Sequence, residues 1–218
     1  MVNASKLISI GIFSLSLMIG LGTFYVISDL SKQKRREHIE EIVSQLINFI
    51  LYIWMGKIIL NFSLFIKDPL AILAYPSNSH AFYFAILLST LVNLLKSKYP
   101  SKNKPHFIES LVFVLLVMTF AYEFIQMFWN SNAYTYETLI VVGFLLVLFI
   151  SLREKIASST LLIVTITAWS GGMVLLDFIQ PIVTLFGYII TPWFVGLYYL
   201  ISMFIIINKR RRERRGRN

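Results

Sequence analysis

From residue 156 to residue 208 the chain carries one charge, Asp177. A bilayer core about 30 Å thick takes roughly 20 apolar residues of helix. The run is too long for one crossing and long enough for two with a tight turn, for which "IQPIVTLFG" supplies Pro181 and Gly187. The rest of the chain is built alike. Further apolar segments cover approximately 7–28, 43–66, 80–95, 108–129 and 138–152, and the long run divides into 159–179 and 186–207. The expected fold is therefore all-α: a polytopic integral membrane protein of about seven transmembrane helices. Residues 1–208 would form a single transmembrane helical domain and 209–218 a basic cytoplasmic tail. With 57% hydrophobic and only 14% charged residues among 218, a soluble domain would lack the polar surface it needs.

The connections set an orientation. "SKQKRREH" holds four basic residues, "KSKYPSKNKPH" another four, Arg153 and Lys155 follow the fifth segment, and "KRRRERRGRN" adds seven. The alternate connections carry only Lys67, and the N-terminal stretch only Lys6. Basic residues collect on the cytoplasmic side, so the N-terminus is expected outside and the C-terminus in the cytoplasm, which requires an odd number of spans. The first segment reads as a retained N-out anchor, not a secretory signal, because no small-residue cleavage site follows it and "KQKRR" lies after it. The membrane expected is a plasma membrane of bacterial type.

Composition removes several chemistries. The absence of cysteine excludes disulfides, thiolate metal sites and a cysteine nucleophile. His38, His80 and His106 are too scattered for a metal or haem site, and no cofactor is called for. "HExxH", "GxSxG", Walker and dinucleotide-binding patterns are all missing. Ser89 and Ser170 have no framing glycines, and Asp177 has only Glu123 as an acidic partner for aspartyl chemistry. An intramembrane enzyme therefore has little support. The tail, which lacks aromatic interleaving, is expected to contact anionic lipids and no nucleic acid.

Four titratable residues fall within apolar segments or at their mouths: Lys57, His80, Glu123 and Asp177. With the orientation above, all four gather in the outer half of the membrane. A single charge at a helix centre costs roughly 2.5 to 3.5 kcal/mol, so pairing or cavity water is expected there. Polar neighbours recur at helical spacing: Trp54 and Asn61 around Lys57, Thr119 and Gln126 around Glu123, and Thr165, Trp169 and Met173 below Asp177. Gly171 and Gly172 would admit a close helix neighbour.

Two accounts fit these stripes. In one, Lys57, Glu123, Asp177, Asn61 and Gln126, with His80 at the mouth, line an outward-facing cavity. That cavity would bind or transport a small polar or charged solute or ion, which would break a pair between Lys57 and one acid. In the other, the stripes are interhelical contacts in a non-catalytic accessory, assembly or regulatory subunit with a membrane partner or a second copy. The connection "DPLAILAYPSNSHAFYF" breaks at Asp68-Pro69 and Pro76 and reads as an interfacial loop with Tyr75, His80, Phe82 and Tyr83 at the headgroup level. "ITPWF" reads as a proline kink beside an interfacial Trp193.

Overall fold

Each of the seven apolar segments holds a helix in the computed structural model, which describes residues 2–70, 72, 78–96, 104–130 and 135–215. The described helices are α1 (Val2–Ile27), α2 (Lys32–Leu60), α3 (Phe62–Lys67), α4 (Ser79–Lys96), α5 (Lys104–Asn130), α6 (Thr135–Arg153), α7 (Ser158–Ile179) and α8 (Pro192–Arg215). Within α1, α2, α5, α6 and α7 lie five stretches long and apolar enough to cross a membrane. α4 and α8 contribute the shorter apolar stretches Ser79–Asn93 and Pro192–Asn208. This is the build of a multi-pass membrane protein.

The helices fall into two compact units, one of residues 1–30 and 105–218 and the other of residues 31–104. In the first, α5 is the most buried helix. Half of its apolar stretch is covered, against 22 to 28% for the comparable stretches of α1, α6 and α7. Phe24 of α1 packs on Phe113 with ring centroids 6.5 Å apart, and Phe113 meets Phe149 of α6 at 6.2 Å. Gly172 lets α7 close on α6: a Cβ there would lie 2.6 Å from Val141 Cγ1. α8 returns along α7, with Trp169 edge-on to Tyr198 at 6.2 Å. Successive helices of this unit therefore alternate in direction. Arg153 and Lys155 fall at the end opposite the α7–α8 connection, and α8 carries its basic residues towards that same end.

The second unit pairs α2 with α4. α2 opens with solvated turns, where Arg36 Nε lies 2.8 Å from Glu40 Oε1 and Gln33 Nε2 donates to Glu37 Oε1 at 3.1 Å. Both are exposed pairs that add little to stability. Further along, Phe49 stands edge-on to Phe82 at 5.5 Å. Asn78 caps α4, its Oδ1 accepting the Ala81 N–H at 2.9 Å and so satisfying one orphan donor of the first turn. The break expected at Asp68-Pro69 is present. α3 ends at Lys67, and Asp68, ahead of proline, is extended with φ −149° and ψ 94°.

Three expectations need correction. The segment 43–66 is not one helix: α2 stops at Leu60 and α3 begins at Phe62. Asn61 makes the break, its side-chain Nδ2 and its backbone N–H both donating to the Lys57 carbonyl, at 3.0 and 3.1 Å. Asparagine favours such local bonds over helix continuation. Within this all-α fold, residues 184–189 form a two-stranded hairpin where the seventh segment was expected to start. Finally, Pro192 does not kink a helix. It is the first residue of α8, where its missing N–H has no intrahelical partner to lose. Of the connection expected at the headgroup level, Ala71 and residues 73–77, including Tyr75 and Pro76, lie outside the described residues.

Candidate functional site

At the α7–α8 end of the first unit the helix ends do not close on one another. They leave a cavity of about 430 Å³, lined by Tyr122, Glu123 and Gln126 of α5, Thr135 and Thr138 of α6, and Gln180, Pro181, Ile182, Thr184 and Gly187 of the α7–α8 connection. The cause is local. α7 ends at Ile179 because Pro181 cannot continue it. The Gln180 N–H bonds back to the Leu176 carbonyl at 2.7 Å, and the chain then turns across the helix ends. Gln180 is buried and its Nε2 donates to Thr138 Oγ1 at 3.3 Å, tying the connection to the start of α6.

The hairpin forms the rim. Thr184 pairs with Ile189 and Leu185 with Tyr188, and the Ile190 N–H donates to the Val183 carbonyl at 2.9 Å. Its two turn residues, Phe186 and Gly187, both have positive φ, 52° and 83°. That is the twist a two-residue hairpin requires. Glycine adopts it freely, whereas phenylalanine does so at a cost of order 1–3 kcal/mol. Aromatic packing holds Phe186 there: its ring is edge-on to Phe13 at 5.6 Å and to Tyr122 at 5.3 Å. Replacing Gly187 by alanine is expected to cost about 1 kcal/mol through backbone strain alone. The added Cβ would meet nothing closer than the Tyr122 hydroxyl, at 3.6 Å. Thermal unfolding of the purified protein measures it.

Glu123 is the group that marks the cavity. It is only 6% exposed, and among the described residues no hydrogen bond or ion pair engages its carboxylate. The nearest amide on its own helix is turned elsewhere, Gln126 Nε2 donating to Tyr122 Oη at 3.0 Å. Of the other expected site residues, Gln126 shares the cavity wall. Asp177 does not line it; this residue is exposed on α7, above a ladder in which Thr165 and Met173 are buried. Thr119 and Thr165 turn their hydroxyls onto their own helices, to the carbonyls of Leu115 and Leu161 at 2.7 and 2.8 Å.

Lys57, Asn61 and His80 belong to the other unit. Lys57 is 7% exposed while Trp54, on the same stripe, is 47% exposed, so the stripe spans two environments. Asn61 is the helix break described above. His80 is exposed in the first turn of α4, its ring 6.0 Å from that of Tyr83. The sequence reading lacked Tyr122 as a wall residue, and it lacked Thr135, Thr138, Gln180 and Thr184. The i, i+3 pair Thr135/Thr138 at a helix start was a visible signal. The Gln180–Thr138 bond, joining residues 42 apart, was not.

A second, water-sized cavity of about 30 Å³ lies at the opposite end of this unit, beside Glu109, Ser110 and Arg153. There Arg153 Nη2 stands 3.9 Å from Asp29 Oδ2, a loose pair with an exposed partner. Among the described residues no group of three His, Asp or Glu side chains could hold a metal ion. Compared with protein-family models, curated proteins and solved structures, the chain matches none.

Proposed function

We propose that this chain is a plasma-membrane protein that binds a small polar or charged solute in the cavity at the hairpin end and admits it from outside, in the manner of a transporter or solute receptor. One observation carries the proposal: a buried carboxylate, Glu123, stands on the wall of a solute-sized cavity with no partner among the described residues. An uncompensated carboxylate at membrane depth is expensive, and a purely structural role would pair it. The remaining lining supplies hydroxyls and amides, which fix orientation without adding charge. The outward direction is inferred from the basic residues at the opposite end of the same unit, which the positive-inside rule assigns to the cytoplasm. Asp177, exposed on α7 of the same unit, would serve the approach.

The cysteine-free chain makes a direct test simple. In cells or right-side-out vesicles, Thr135→Cys, a buried cavity-wall position, should react with membrane-impermeant methanethiosulfonates added outside. Ser170→Cys, buried in α7 away from the cavity, should not. Equal protection of both positions, or labelling of Thr135→Cys from the cytoplasmic side alone, would remove the reading.

A further inference from the structure

We propose that the solute this cavity selects carries a single ammonium group, an inference that rests on the cavity being a solute site. The wall presents one charge, the Glu123 carboxylate, and none of the lining residues is basic. The amide nitrogens of Gln126 and Gln180 donate to Tyr122 and Thr138, and among the described residues no hydrogen bond engages the Glu123 carboxylate. What this carboxylate lacks is a cationic donor, and a charge-assisted N–H···O bond is the strongest hydrogen bond it could form. An anion would meet the field of a desolvated carboxylate with no cation on the wall to offset it.

The charges of the whole unit lean the same way. Its acidic residues at the hairpin end are Glu123, Glu137 and Asp177, against Lys6 alone. Glu137, in the first turn of α6, adds a buried Oε2 that has no hydrogen-bond partner among the described residues. At the other end, basic residues dominate. The resulting field draws cations to the hairpin end and keeps anions away from it. Size and ligand count narrow the class further. About 430 Å³ suits an organic molecule of several heavy atoms. A calcium-like ion would need six to eight oxygen ligands, and the wall's one carboxylate falls short of the charge such sites collect. One carboxylate matches one positive charge.

The test uses the full chain in vesicles and the Thr135→Cys labelling assay. Three competitors of matched length differ only at one end: protonated 4-amino-1-butanol, 4-hydroxybutyrate and 1,4-butanediol, each at constant ionic strength. The amine alone should slow labelling, about tenfold or more at saturation. In the Glu123→Gln background its half-protecting concentration should rise by about tenfold or more, as expected for the loss of one charge-assisted contact. Trimethylammonioethyl methanethiosulfonate should also react faster than its sulfonatoethyl counterpart, relative to their rates with a free thiol, and Glu123→Gln should erase that preference. Thr184→Cys, on the rim, provides the same readout if Thr135→Cys does not fold. Equal protection by all three competitors, stronger protection by the carboxylate, or no protection by the amine overturns the ammonium inference while the cavity stands. Failure of both cysteines to label from outside overturns the cavity reading, and this inference with it.

Discussion

Glu123→Leu is expected to yield a protein that is more stable than the wild type and blind to solute. The carboxylate is 6% exposed, with no hydrogen bond or ion pair among the described residues. Burying a polar group without a partner costs about 1–3 kcal/mol on mutational scales. Leucine is close in volume and carries no such cost, so thermal unfolding in mild detergent should rise by an increment of that order. The gain should come with complete loss of amine protection in the labelling assay, the usual exchange between stability and a strained site. Asp177→Asn serves as the comparison: this side chain is exposed, and its neutralisation should change stability by no more than about 0.5 kcal/mol. The sign of the Glu123→Leu effect separates the two accounts of the polar stripes. A carboxylate that holds helices together would make the leucine variant unfold at a lower temperature, and the binding proposal would then lose its basis.

The division of sequence and structure follows from what periodicity can carry. Bilayer thickness imposes a length on every crossing, so the helices near 7–28, 80–95, 108–129, 138–152 and 159–179 could be read from hydropathy, with ends displaced by a few residues. Glu123 and Gln126 could be read as one wall because they lie a turn apart on one helix. Asp177 could not be placed the same way. Thr165 and Met173 of its ladder are buried, but the helix ends soon after and the last rung is exposed. The hairpin was hidden for a related reason. "IVTLFGYII" is as apolar as a span, and hydropathy cannot tell two strands from a turn of helix over so short a stretch. Pro181 and Gly187 pointed to a turn there, but not to strands. Asn61 shows the converse: a single polar residue inside an apolar run reads as a candidate ligand, whereas its short side chain bonds to the carbonyl four residues back and ends the helix.

Gly171→Leu and Gly172→Leu, one residue apart, are expected to act in opposite directions. A Cβ on Gly171 meets nothing within 4 Å, so the added side chain projects into open space. Removing a helical glycine there gains up to about 1 kcal/mol. At Gly172 the Cβ would stand 2.6 Å from Val141 Cγ1, well inside contact distance, and valine's stiff χ1 gives that methyl no easy retreat. α6 and α7 must separate, at a cost of about 1–3 kcal/mol or more. The displacement would reach the cavity. α6 carries Thr135 and Thr138, and α7 leads into Gln180, so spreading the two helices stretches the 3.3 Å Gln180–Thr138 bond that anchors the rim. Thr135→Cys should then label faster in the Gly172→Leu background and lose its protection by amine. Val141→Ala, which removes the obstructing methyl, should restore both the unfolding temperature and the protection when combined with Gly172→Leu. If the double variant is no better than Gly172→Leu alone, the contact between these two helices does not set the width of the cavity, and the link from packing to site is broken at that point.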